Sequence, residues 1–538
     1  MKALMLLAAV AAALWLRFGV GPAYISPDGA GYFSYFHSLL ADGDLDFEDE
    51  FRDLKMTAPS AETPTGYLND LWPMGTSLVL FPAGLWAQGL HRLFGSVITH
   101  DPLHWLLIFF NLGSSLCGLL AVWICYLGLR ESGQGRYASF FTALAVFLGT
   151  PLFYYTFSAP SAPHAVSALM AALFLFYWMR FRRARGAGPG RWFFLGLLLG
   201  AAGAVRTELL LFGIAPLFVW AGVEGLAFMA AGALIGFSPQ LLCWKIMNGS
   251  FFHSQNAFNF SPENFAPASV FFSPFHGILT WTPLFILGFL GLLWPPRAEG
   301  EHRALFLCVL AQALVASCSL TWWFGYSFGI RILTACAFPV ALGLGRVMRH
   351  RIFRFLTAGA VLWTVSLSLQ AMTGRIDLGA FVFSYKTLFA WQAGALEVPA
   401  QALAVFFRNR YLSSAEFILV FMSVCGLIGL LYALRRPAQK DPVRFFTVCA
   451  VLFVVLIDAR LVGAWRKGPR PHAHEGAWTE DLAKDFLVQG LYSRWYYELS
   501  TGDLASAEKT LERHLRADPG SEEAKKGLAY VRMSLLRH

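Results

Sequence analysis

Apolar residues run through this chain in long blocks separated by short polar stretches. Blocks at about 103–129, 137–157, 164–179, 192–205, 207–222, 225–246, 276–294, 304–321, 330–345, 355–373, 413–434 and 443–462 carry few or no charges. Their lengths approach the roughly 20 residues an α-helix needs to cross a bilayer. The block from Met1 to about Gly21 has Lys2 at its start and Arg17 near its end, with no small-residue cleavage site after it, so it predicts a retained signal anchor. Counting that block, the length rule gives about thirteen spans. The predicted fold class is an all-α polytopic membrane protein.

The stretch from Leu71 to Phe94 is interrupted by Pro73, Gly75, Pro82 and Gly84, which suits a helix lying at the membrane surface better than a plain span. Charge supports that reading. Arginine clusters (Arg180, Arg182, Arg183, Arg185 and Arg191; Arg346, Arg349, Arg351 and Arg354; Arg435, Arg436, Lys440 and Arg444) fall between blocks. They share one side only if 71–94 does not cross, which places the amino terminus and the clusters in the cytoplasm and the carboxyl tail outside. Hydrophobic residues make up 57% of the 538 residues and charged ones 14%, well below the roughly 25% of a soluble domain. The net charge of +9 is thus a positive-inside signature, and no nucleic-acid partner is implied. The 8 cysteines lie in or at the ends of apolar blocks and form no CxxC, so they are expected as buried helix residues.

Three non-cytoplasmic stretches are long, 22–102, 247–275 and 374–412, and chemistry is expected on that side. The first holds Asp28, then Asp42, Asp44, Asp46, Glu48, Asp49, Glu50, Asp53, Glu62 and Asp70. Most of the run is expected to solvate a surface helix. Asp28 stands apart, directly after the first block. Asp42, Asp44 and Asp46 begin like an EF-hand loop, but Phe47 occupies the turn glycine's place and Asp53 that of the bidentate glutamate, which speaks against calcium. Charges inside apolar blocks are costly and therefore informative. Arg206 and Glu208 are close enough to neutralise each other, whereas Arg331 has no carboxylate within its own block, which suits an anionic ligand such as a lipid phosphate. His164 and His276 each open a block. H-E-x-x-H, G-x-S-x-G and a Walker A loop do not occur in the sequence.

The segments Ile25-Ser26-Pro27-Asp28-Gly29-Ala30-Gly31-Tyr32-Phe33, Asp42-Gly43-Asp44-Leu45-Asp46-Phe47, Trp72-Pro73-Met74-Gly75-Thr76, 273–283 and Trp323 to Arg331 resemble, in order, those of bacterial family 39-like glycosyltransferases. These belong to the C-type superfamily with the protein O-mannosyltransferases and the lipid A aminoarabinose transferases. The resemblance covers about residues 1–460. It implies that Asp28 is the catalytic aspartate, that interfacial helices follow it, and that the donor is a sugar on a polyprenyl phosphate or diphosphate. Protein O-mannosyltransferases follow this aspartate with glutamate, whereas Gly29 stands here, which counts against protein among the candidate acceptors, glycan, lipid or protein.

Transfer from a phosphate-linked sugar needs a base for the acceptor hydroxyl and cations for the departing phosphate, so one carboxylate and one or two arginines suffice. Asp28 is the candidate catalytic residue, and Arg331, Arg206, His276, His164, Asp44 and Asp70 are the candidate substrate-binding residues. No motif obliges a metal or other cofactor, although a divalent metal is compatible with the chemistry. A transporter or lipid-linked sugar flippase would also have many spans and intramembrane arginines, but symmetric halves are not evident. A scaffold that merely displays the tail would leave Asp28 and Arg331 unexplained.

The chain divides into a transmembrane domain, 1–462, and an outward-facing helical tail, 463–538. Gly502 to Pro519 resembles the second half of a tetratricopeptide repeat, but Trp495 stands where glycine is usual in the preceding helix. One unit is fewer than the roughly three that a free-standing stack needs, so the tail is expected to dock on the rest of the chain.

Overall fold

The computed structural model describes residues 25–54, 62–183, 188–218, 222–253, 260–294, 300–397, 413, 415–420, 422, 442–469 and 480–536. The predicted anchor 1–21, most of the predicted span 413–434, and Arg185, Arg435, Arg436 and Lys440 lie outside the described residues. The fold is all-helical, 77% helix and without strands among those residues.

In chain order the helices are α1 (Pro27–His37), α2 (Glu48–Asp53), α3 (Gly75–Phe94), α4 (Pro102–Glu131), α5 (Arg136–Gly149), α6 (Leu152–Phe157), α7 (His164–Arg183), α8 (Pro189–Val205), α9 (Ile214–Phe218) and α10 (Val223–Asn248). They continue with α11 (Pro267–Phe272), α12 (Ile278–Trp281), α13 (Leu284–Leu293), α14 (Gly300–Ser317), α15 (Ala337–Val347), α16 (Arg351–Met372), α17 (Tyr385–Ala393), α18 (Pro442–Lys467), α19 (Glu480–Ser500), α20 (Leu504–Ala517) and α21 (Glu522–Leu535). Five of these, α4, α7, α10, α16 and α18, are long and apolar enough to cross a membrane.

Four apolar blocks differ from the sequence expectation in being interrupted. Block 137–157 breaks at Thr150-Pro151, where proline ends α5 and Thr150 adopts an extended conformation. Block 207–222 opens as a 3₁₀ turn, Thr207–Gly213, and block 330–345 as another, Arg331–Cys336. Block 276–294 is divided at Thr282-Pro283. Irregular backbone at membrane depth is tolerated only where protein or water satisfies it. Arg331 opens one of these interruptions and Arg206 directly precedes another.

Helix α7 is the hub. Of its most apolar window 83% is buried inside the protein, against 11% for α18 at the periphery. Its 20 residues span about 30 Å, the thickness of a hydrocarbon core. His164 stands at one end. At the other, Arg182 and Arg183 each lie 3.1 Å from Glu301 of α14, and Arg180 lies 3.1 Å from Glu131 of α4. The basic residues therefore gather at the end of the bundle opposite His164.

Helices α8 and α10 pack backbone to backbone. Gly196 and Gly200 on α8 face Gly232 and Gly236 on α10, and a Cβ on any of the four would run into a carbonyl oxygen of the partner helix. Small residues four apart on both helices are how bilayer helices approach closely when water supplies no driving force.

The tail packs around its own small core, with Trp495, Ala507, Leu511, Ala524 and Val531 buried. It also docks on the transmembrane part. Tyr497 lies among Phe275, Trp322, Trp323, Phe381 and Phe383, and its hydroxyl is 2.5 Å from Ser273 Oγ. Arg513 Nη1 donates to Asn264 Oδ1 at 2.7 Å. The described cysteines are free, and Cys449 on α18 is exposed, contrary to its expected burial.

Candidate functional site

Ser26-Pro27-Asp28-Gly29 is a helix-start sequence. Ser26 is extended and caps α1, its Oγ accepting from Gly29 N at 3.0 Å, and Pro27 takes the first turn, where a missing N–H costs nothing. Ser26 N also donates to Ser161 Oγ at 3.1 Å, which ties the start of α1 to the turn that opens α7. Gly29 is required by that junction, because a Cβ there would collide with the Ser161 side chain. A larger residue at this position therefore has no room unless Ser161 moves.

Asp28 Oδ2 lies 2.5 Å from Arg331 Nη1. The pair is about a quarter exposed, 27% for Asp28 and 21% for Arg331. Arg331 thus has a carboxylate partner after all, supplied from 303 residues away, where its own block offered none. Its Nε is buried and has no hydrogen-bond partner among the described residues. Arg206 ion-pairs with Glu208 as the sequence spacing suggests. His164 lies within electrostatic reach of both arginines, with its ring 4.4 Å from that of Tyr155 and its buried Nε2 without a partner among the described residues. The Tyr155 hydroxyl accepts from Phe328 N at 3.0 Å, which helps position the loop leading to Arg331.

Tyr32 was not legible as a site residue, although it is one helical turn from Asp28. It is buried, interacts electrostatically with Arg206, Asp28, Glu208 and Arg331, and burial raises its phenol above the ordinary range. Two helix starts, α1 and α7, and two 3₁₀ turns thus bring Asp28, Tyr32, Tyr155, His164, Arg206 and Arg331 into one neighbourhood. Such a cluster of two arginines, each paired with a carboxylate, and neutral donors can present guanidinium N–H groups to a phosphate and receive a proton at Asp28.

The other candidates lie elsewhere. His276 is buried, adopts a left-handed φ of 60°, and uses Nε2 on the Leu378 carbonyl oxygen at 3.1 Å within an aromatic cluster of Phe275 and Trp281. Asp44 Oδ1 accepts from Ser38 Oγ at 3.0 Å and Asp46 N at 3.3 Å, so it shapes the outer loop. Asp70 is buried against α1 at Gly31, accepts from Trp72 N at 3.0 Å, and has its carboxyl pushed up to about 7 by burial. The expectation of a solvated acidic run fails at Asp44, Asp46, Glu50 and Asp70, all of which are buried, because the loop folds back on α1 around Leu45, Phe47 and Phe51.

An apolar cavity of about 260 Å³ adjoins this region, between α3, α7, α8, α10 and α18. Its wall includes Gly75, Leu78, Pro82, Phe194, Ala204 and Phe453, and Ala204 is two residues from Arg206. The cavity itself contains no charged residue. Comparison with known proteins returns nothing for this chain, with no matching family model, curated protein or solved structure.

Proposed function

We propose that the chain is a C-type, polytopic membrane glycosyltransferase that moves a sugar from a polyprenyl-phosphate-linked donor to an acceptor hydroxyl on the non-cytoplasmic face. The observation that carries this reading is the Asp28–Arg331 pair beside Arg206, at the end of α7 opposite the basic cluster. In this reading about thirteen helices cross the inner membrane, α3 lies at its outer surface, and the tail is an outward tetratricopeptide-like appendage that docks on the outer loops.

Asp28 takes the proton of the acceptor hydroxyl as the acceptor oxygen bonds to the anomeric carbon. The bond from that carbon to the phosphate oxygen breaks, and the phosphate leaves with the electron pair. Arg331 presents Nε, which has no hydrogen-bond partner among the described residues, to the leaving phosphate while Nη1 holds Asp28, and Arg206, paired through Nε with Glu208, lies nearby. A phosphate leaves as an anion without a general acid, so one carboxylate suffices. The apolar cavity beside Ala204 suits part of an isoprenoid chain whose headgroup reaches Arg206.

The test is reconstitution of the purified protein in liposomes with a polyprenyl-phosphate sugar and extracts of envelope glycan, lipid or protein acceptors. A glycosylated product supports the enzyme, whereas movement of the lipid-linked sugar between leaflets without product makes it a flippase. Losing a positioned base slows the chemical step by roughly 10² to 10⁴-fold. Asp28→Asn is expected to lose that much while Glu48→Gln stays near wild type. Near wild-type turnover by Asp28→Asn would remove Asp28 from the mechanism.

A further inference from the structure

The last turn of α1 runs into a wide turn, Ser38–Asp42, closed by a hydrogen bond from Gly43 N to Ser38 O of 2.7 Å across five residues. On an ordinary α-helix residues 37 and 42 would stand about 140° apart. The wide turn puts them on one side, so that His37 Nδ1 lies 3.6 Å from Asp42 Oδ2. Such π-type turns are frequent at functional sites. Helix α2 folds back across them, and Glu50 Oε1 lies 2.8 Å from the same His37 nitrogen. One ligand atom from each residue falls within 4.8 Å of the others.

Glu50 is the informative member. Its side chain is 0% exposed, and its Oε2 has no hydrogen-bond partner among the described residues. A buried carboxylate is tolerated when it is paired or holds a cation. The surroundings are acidic, since Asp42 Oδ2 lies 3.6 Å from His37 Nδ1 and Asp44, Asp49 and Asp53 belong to the same loop. Two basic residues of α18 stand near, but their hydrogen bonds go to the main chain: Arg460 to the Leu39 and Leu40 carbonyls, and Lys467 to that of Asp42.

We infer that His37, Asp42 and Glu50 form a divalent transition-metal site that fastens the acidic outer loop to the end of α1. One imidazole with two carboxylates suits zinc or manganese, whereas calcium and magnesium favour all-oxygen shells. Tetrahedral zinc with ligands at about 2.0–2.1 Å sets its ligand atoms about 3.3 Å apart. The observed 2.8 and 3.6 Å bracket that value, so small side-chain rotations admit the ion. Three protein ligands leave room for a water. Asp44 and Asp46, which mimic an EF-hand in the sequence, are turned into loop hydrogen bonds instead. The site lies nine residues, about 13 Å, along α1 from Asp28, so the metal acts on the loop and not on the reacting atoms.

The full chain in detergent, stripped with a chelator and desalted, is offered Zn²⁺, Mn²⁺ or Ca²⁺ alone, and bound metal is counted by mass spectrometry. One equivalent of Zn²⁺ or Mn²⁺ is expected, with Ca²⁺ weaker and the apparent unfolding temperature higher with metal. Since even indirect partners of a metal site contribute 10- to 100-fold, Glu50→Gln and His37→Asn should each lower affinity by more than about 100-fold, and Asp44→Asn should not. Equal binding by wild type and both ligand variants overturns the site. Co²⁺ added to wild type needs no variant: a visible absorption band of tetrahedral type is expected, and its absence at saturating Co²⁺ also overturns the site.

Discussion

Asp28 and Arg331 meet because each begins a segment whose backbone departs from the regular helix, one at a capped helix start and the other at a 3₁₀ turn. A charge-assisted contact in a partly desolvated place contributes about 1.5–3 kcal/mol, whereas an exposed arginine contributes little. Arg331→Ala is therefore expected to weaken binding of a polyprenyl-phosphate donor about tenfold to hundredfold, and exposed Arg349→Ala to leave it unchanged, as read by titration with a fluorescent donor analogue. Asp70 gives a pH signature. Its folded carboxyl sits near 7, above the unfolded value of about 3.9, so between those pH values the unfolded chain releases a proton that the folded chain keeps. Stability should thus fall as pH rises from about 4 to 7, by at most about 4 kcal/mol, and stay lowered above 7. Asp70→Asn removes the carboxyl, so its apparent unfolding temperature should exceed that of wild type at pH 8 and match it near pH 4. At this scale Asp28, Arg206, Arg331 and His164 were legible because polar groups beside apolar blocks are costly. Tyr32 and Tyr155 were not, because a tyrosine among 85 aromatics carries no such cost signal.

Helices α8 and α10 show how an element can depend on what it lacks. Their glycines let two backbones touch, and a branched side chain at Gly200 would meet Ala233 main-chain atoms that cannot give way. Overpacking costs typically 1–3 kcal/mol, and here it displaces a helix that leads directly to Arg206. Gly200→Val is expected to lower the detergent unfolding temperature and the activity together, while Gly190→Val, at an open position, should change neither. Block lengths located the long helices to within a few residues, as for 103–129 against Pro102–Glu131 and 164–179 against His164–Arg183. They could not show the breaks at 150–151, 207–213, 282–283 and 331–336, since hydropathy averages over a turn that remains apolar. The burial of Asp44, Asp46 and Glu50 was hidden for a different reason: between Asp42 and Asp53 carboxylates outnumber Leu45, Phe47 and Phe51 in the sequence, and only the folding of the loop back on α1 buries both together.

The whole molecule has two chemically distinct ends joined by α7. In the proposed topology the arginine-rich end faces the cytoplasm, by the bias of basic residues toward that side. Reporter fusions between Arg183 and Gly188 and after His538 should report opposite sides of the membrane, and the same side for both would reverse the tail or the bundle. The all-helical class and the five long helices were visible in the apolar blocks, which suggested about thirteen spans, but the tail's docking was not, because it depends on Tyr497 finding rings scattered between Phe275 and Phe383.

The grip of Arg460 on the Leu39 carbonyl oxygen joins residues 421 positions apart. At synthesis rates of 5–20 residues per second, roughly 20–80 s separate the appearance of those two residues. The turn that follows α1 is therefore made early and clasped late. In the proposed topology the first loop waits on the far side of the membrane, the Leu39 carbonyl bound to water, until α18 arrives. Truncation before Arg460 would leave that wait without an end, and a nascent chain of that length should present its first outer loop to proteases that the finished protein resists.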